Sequence, residues 1–185
     1  MVVVIIVLAL LLGVAGWLVA LYNGLVRKRN LVQEGWSGID VQLKRRADLI
    51  PNLVETVKGY ASHEREALDR VTQLRAESMK AQAPAEKGRV EGMLSGALGN
   101  LLAVAENYPD LKASQNFVEL QGSLAEVEEQ IQFARRYYNG AVRDLNIAVE
   151  SFPSNLVANA FGFKQAEFFE LADPGDRAVP QVNFS

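Results

Sequence analysis

The chain has 185 residues, 19 Lys+Arg against 22 Asp+Glu, a net charge of −3, one His and no Cys. The missing Cys excludes disulfide scaffolds, thiolate metal sites and cysteine nucleophiles, and a solitary His excludes multi-histidine metal sites. No basic footprint for nucleic acid and no Gly-rich phosphate cradle is present, so no nucleic-acid partner and no cofactor is expected. His63-Glu64 begins like a zinc-protease helix motif, but Ala67 stands where the second His belongs.

Val2–Tyr22 is almost wholly apolar and uncharged. As helix it would measure about 31 Å, close to a bilayer core of about 30 Å. A cleaved signal peptide is the rival, yet nothing charged precedes this core and Leu18-Val19-Ala20 is a poor cleavage site. An uncleaved single-pass anchor over residues 1–24 is therefore expected, in a bacterial inner membrane. Trp17 and Tyr22 fall where aromatic rings favour the membrane interface, and Arg27, Lys28 and Arg29 follow directly. Three cations at about 1 kcal/mol each near an anionic leaflet would anchor the helix. Retention of Lys and Arg on the cytoplasmic side puts the N-terminus outside and the rest of the chain inside. Ala9, Gly13, Gly16 and Ala20 form a stripe of small residues that would let another helix approach, although such residues are common in membrane helices anyway.

From Val32 the apolar residues alternate in steps of four and three through Trp36, Ile39, Leu43, Arg46, Ile50, Leu53, Val57 and Tyr60, then Glu64, Ala67, Val71 and Leu74. The unbroken phase predicts a long helix over about 25–82, kinked at Pro51, whose ring clashes with the carbonyl of Ala47. A break after Asp48, with Pro51 in the first turn of a new helix, is the alternative. After the turn at 83–85, residues 86–107 keep a helical rhythm (Val90, Met93, Ala97, Leu101, Val104) but carry Gly88, Gly92, Gly96 and Gly99. Each Gly costs about 1 kcal/mol against Ala, so this helix needs close packing to exist.

Tyr108-Pro109-Asp110 opens the clearest pattern in the chain: Phe117, Leu120, Leu124, Val127, Ile131, Ala134, Tyr138, Ala141, Leu145, Ala148 and Phe152. One helix of about 40 residues is predicted. Residues 155–171 read as a short amphipathic return broken at Gly162, and the Pro-containing tail 173–185 as irregular. With no strand alternation, the fold class is all-α: a single transmembrane helix and a long antiparallel bundle of three to four helices over 25–172.

The chain resembles the LemA family. The resemblance rests on Tyr22-Asn23, Trp36, the run from Gln42 through Arg46 into Asp48–Val54, and Lys58-Gly59-Tyr60 with His63-Glu64. It continues through Tyr108–Lys112, Phe117, Leu120-Gln121, Leu124, Glu128, Arg135, Tyr138-Asn139, Val142, Asn146, Phe152-Pro153 and Phe168-Phe169. The family pattern implies a membrane helix followed by a helical bundle and carries over no catalytic residue. The Gly-rich third helix is the visible departure from it.

Several residues remain candidates for contact. Lys44, Arg45 and Arg46 are a basic run that could meet an acidic partner, although Arg46 falls on the seam and suits a buried pair. Phe161, Phe163, Phe168 and Phe169 form an aromatic end suited to assembly. His63, Glu64, Glu128, Arg135, Asn139 and Asn146 are polar residues suited to fixing helix register, with Glu64 expected to pair with Arg135 or Arg136 of the facing long helix. These features favour an anchored, non-enzymatic scaffold that self-assembles and organises or shapes membrane. The alternative is a tethered adaptor that binds another protein through the bundle surface.

Overall fold

A computed structural model describes residues 1–170. The described residues form six helices and no strand: α1 Val2–Tyr60, α2 Arg65–Lys80, α3 Pro84–Ala105, α4 Pro109–Lys112, α5 Gln115–Glu150 and α6 Ser154–Ala160. The chain divides into two compact units. Among the described residues the first combines Met1–Asp40 with Phe133–Phe168, and the second combines Val41–Gln132 with Phe169 and Glu170.

In the first unit, α1 runs against the latter part of α5 and against α6. Trp36 meets Tyr138 at 5.5 Å between ring centres, while Leu21 and Tyr22 of α1 and Ala148 and Val149 of α5 pack against one cluster formed by Leu25, Val157, Ala158 and Phe163. As residue numbers fall along α1 they rise along α5, so the two helices are antiparallel here. Gly35 makes the approach close: a Cβ at that position would stand 3.0 Å from the Cα of Tyr138. Beyond α6, Gly162 takes a positive φ of 71° that turns the chain back along α5.

The second unit buries Ile50, Leu53 and Val57 of α1 with Val71 and Leu74 of α2, Leu94 and Leu101 of α3, and Phe117 and Leu124 of α5. The expected continuous helix to residue 82 is corrected. Helix α1 passes through Pro51 but ends at Tyr60, and the chain turns over 61–64 into α2. Apolar phase survives this break because both arms of the resulting hairpin turn one stripe toward the same core. Tyr60, read as a seam residue, is half exposed, and Ala61 takes the buried place.

Other boundaries also differ from the sequence reading, among them α3, which already begins at Pro84, inside the expected turn, and ends at Ala105. The long helix begins at Gln115 rather than near Pro109, because Pro109–Lys112 closes a separate turn with Ser114 N–H donating to Leu111 O at 3.0 Å. At its far end Phe152 lies past the helix, before a cis Pro153, and is exposed rather than seam-buried. The amphipathic return is helical only over α6; residues 163–170 are not helical. The tail expected at 173–185 lies outside the described residues.

Candidate functional site

Two groups of side chains concentrate the unusual chemistry, one in each unit. In the second unit Arg46 is 1% exposed. Its guanidinium pairs with Glu91 of α3, which is equally buried, and donates to Glu128 of α5 at 2.6 Å and to Ser95 of α3 at 2.7 Å. Ser78 of α2 donates to the other oxygen of Glu91. Four helices thus contribute one polar group or more to a single buried cluster. A buried charge is tolerated only when paired and hydrogen-bonded, which this arrangement achieves for the guanidinium ends and for Glu91.

The basic run 44–46 is therefore split. Lys44 and Arg45 are exposed, Arg45 lying 3.9 Å from Glu126, whereas Arg46 is a core ion-pair residue and is removed from the candidate partner contacts. Glu91, Ser78 and Ser95 escaped the sequence reading. The signal was present: Gly88, Glu91, Leu94, Leu98, Leu101 and Ala105 keep the same three–four step, with the carboxylate on the buried stripe.

Among the expected register residues, Glu64 is corrected. It accepts from the Tyr108 hydroxyl at 3.0 Å instead of meeting Arg135 or Arg136, and this bond, with burial and the carboxylate charge, raises the phenol's pKa. His63 is exposed in the turn before α2 and packs no helix interface. Asn146 does not bridge two helices but clasps an extended segment, accepting from Ala166 N–H at 2.8 Å and donating to Ala166 O at 3.0 Å. Tyr138 donates to the carbonyl of Glu167 at 2.8 Å. Asn139 and Arg135 lie partly buried on α5.

The first unit carries the other group, at the end of the apolar stretch. An 18-residue window of α1 has a mean hydropathy of 3.1 and none of it is buried, so the helix is long and apolar enough to cross a membrane. Trp17 is exposed on this stretch, as are Ala9 and Ala20, and a Cβ at Gly13 or Gly16 would meet no neighbour within 4 Å. Where the apolar stretch ends, Leu25 is buried against Val157, Ala158 and Phe163. Tyr22 contacts Phe161 at 4.8 Å and Phe163 at 5.7 Å between ring centres, and the Arg29 guanidinium sits 5.2 Å above the Phe163 ring. Arg27 is exposed and Lys28 half-buried beside it.

The four phenylalanines expected to form one assembly surface are therefore divided. Phe163 and Phe169 are buried and leave the candidate contacts, whereas Phe161 and Phe168 are exposed.

Residues 35–184 match the LemA family. The chain belongs to the LemA family. Similar proteins include magnetosome protein MamQ 1 of Paramagnetospirillum magneticum, 28% identical over 87% of this chain and 70% of that protein. Magnetosome protein MamQ of Magnetospirillum gryphiswaldense is 25% identical over the same shares. Protein LemA of Metamycoplasma hominis is 26% identical over 82% of this chain and 69% of its own length. None of these names states an enzymatic activity. The exposed apolar helix fits a membrane-associated protein of this family.

Proposed function

We propose that this LemA-family chain is a single-pass, membrane-anchored helical scaffold, non-enzymatic, that assembles with copies of itself and organises or shapes the membrane. The observation that carries the reading is the continuity of α1. One helix supplies the exposed apolar stretch and then, without interruption, the seam residues Leu25, Val32, Ile39, Leu43 and Ile50. An anchor attached through a flexible linker would only tether; an anchor that is also a core helix ties the fold to the bilayer. The small-residue stripe over Ala9, Gly13, Gly16 and Ala20 is open for a second copy to approach. The cations at 27–29 favour a cytoplasmic bundle with the N-terminus outside, in the bacterial inner membrane.

The magnetosome relatives are compatible with a structural part in a membrane-associated assembly. The adaptor alternative keeps only Lys44 and Arg45 of its basic handle, because Arg46 is consumed inside the fold.

The test is the mass of the full chain released from native-like bilayers. Oligomers that fall to monomers on G13L/G16L substitution are expected. Monomers of the unaltered chain at high occupancy would overturn self-assembly.

A further inference from the structure

We infer that the corner between α5 and α6 is a second membrane-contacting element, lying in the headgroup–acyl boundary beside the anchor. The inference rests on the anchor reading above and goes beyond it, because it assigns lipid contact to residues more than a hundred positions further along the chain.

Three large apolar side chains within ten residues of this corner are exposed: Phe152 is 79% exposed, Leu156 61% and Phe161 65%. Large apolar groups exposed within one short stretch point to a surface that has a partner. Their height identifies the partner. Trp36 lies level with Tyr138, and further toward the N-terminus of α1 Leu21, Tyr22 and Val26 pack against the same Leu25–Val157–Ala158–Phe163 cluster as Ala148 and Val149 of α5. Continuing that antiparallel register brings the end of α5 at Glu150 to the neighbourhood of Tyr22. Phe161 is fixed there directly by its 4.8 Å ring contact with Tyr22. Tyr22 is the last residue of the apolar stretch, so the exposed corner is continuous with the surface expected to meet lipid.

The charges around it fit the same occupant. The Arg29 guanidinium lies over the Phe163 ring, and the exposed Arg27 and Lys164 follow closely in the chain on Tyr22 and Phe163, so cations suited to anionic headgroups accompany the cluster. Glu150, the acid nearest the corner in sequence, is engaged by the Gln165 amide. Exposed aromatic and aliphatic groups accompanied by cations are what an interfacial element carries. The corner is anchored by α6, whose Val157 and Ala158 are buried against Leu25, leaving Leu156 on the outer face.

The chain has no native cysteine, so single spin labels test this in the full-length protein. The variants are L10C, R136C, F152C and L156C, reconstituted in vesicles of phosphatidylethanolamine and phosphatidylglycerol. Collision with oxygen, which partitions into acyl chains, is compared with collision with a water-soluble nickel chelate. Labels at 152 and 156 should show an oxygen-to-nickel ratio several-fold above that at 136, corresponding to a depth of roughly 5–10 Å. The label at 10 should be the deepest.

If 152 and 156 are as nickel-accessible as 136 while 10 is shielded, the corner inference fails and the anchor reading stands. A nickel-accessible label at 10 overturns both. Labels at 152 and 156 shielded from both reagents, with concentration-dependent spin–spin broadening, would assign the corner to a second copy of the chain and overturn lipid contact.

Discussion

Arg75 of α2 donates its Nε proton to the backbone carbonyl of Ala47 on α1, at 2.6 Å. In an uninterrupted helix that carbonyl would accept from residue 51, but Pro51 has no N–H to give. The guanidinium serves the acceptor that the proline orphans, from a helix 28 residues away in sequence. Pro51 thereby becomes a docking point for the hairpin arm.

A double-mutant cycle should expose this dependence. Arg75→Leu is expected to cost about 1–3 kcal/mol, the range for leaving a partly buried acceptor unserved. In a Pro51→Ala background the cost should shrink, because the restored N–H offers Ala47 a second donor. Equal costs in both backgrounds, measured by urea unfolding, would show that Arg75 acts only through its packing.

The buried ion pair makes a sharper demand. Arg46→Leu strands Glu91 in the core and should lower stability by about 3–5 kcal/mol. The double variant R46L/E91L removes both charges and should recover most of that loss, although the buried Ser78 then loses its Glu91 acceptor. Thermal denaturation of the two variants checks the ordering.

Two kinds of glycine in α3 should respond with opposite sign. A Cβ on Gly88 would come within 3.0 Å of the carbonyl oxygen of Glu170, a backbone atom that cannot rotate away. Gly88→Ala is expected to destabilise by about 1–3 kcal/mol, the usual range for overpacking. Gly96 and Gly99 face open space, so alanine at either should stabilise by roughly 0.5–1 kcal/mol through helix propensity. Loss of stability at all three positions would contradict the packing assigned to this helix.

The Tyr138 phenol is pushed up to about 12, first by burial and then by the charge of Glu167. Its unfolded value is near 10, so the native state holds the proton more tightly across that interval. The associated stabilisation is complete below pH 10 and is lost as pH rises toward 12. The unfolding midpoint should therefore fall more steeply over this window in the unaltered chain than in Y138F. Absorbance titration of the phenolates would place the transition.

These relationships mark how far the sequence could be read. The α1 seam was legible from Ile39 to Val57 because a stripe that repeats in steps of three and four has one face to bury. The same regularity hid the turn at 61–64, since a helix and a hairpin of two helices present an equivalent stripe. Arg46 drew notice as a cation on an apolar seam, while its partner Glu91 lay concealed among glycines that masked the seam of α3. The clasp of Asn146 on Ala166 and the close pass of Glu170 over Gly88 join distant backbone groups, and no periodic pattern records those.

The Arg46 cluster has a consequence for how the second unit finds its arrangement. Apolar stripes made of Leu, Ile, Val and Ala are nearly interchangeable from one turn to the next, so helices could slide past one another at little cost. With Arg46 on α1, Ser78 on α2, Glu91 and Ser95 on α3 and Glu128 on α5, that freedom ends. A slip of one turn, about 5.4 Å, would part opposite charges inside a greasy interior. The cluster acts as a combination lock with a wheel on each of four helices, opening to a single alignment, and an inherited change at any wheel would require a matched change at another.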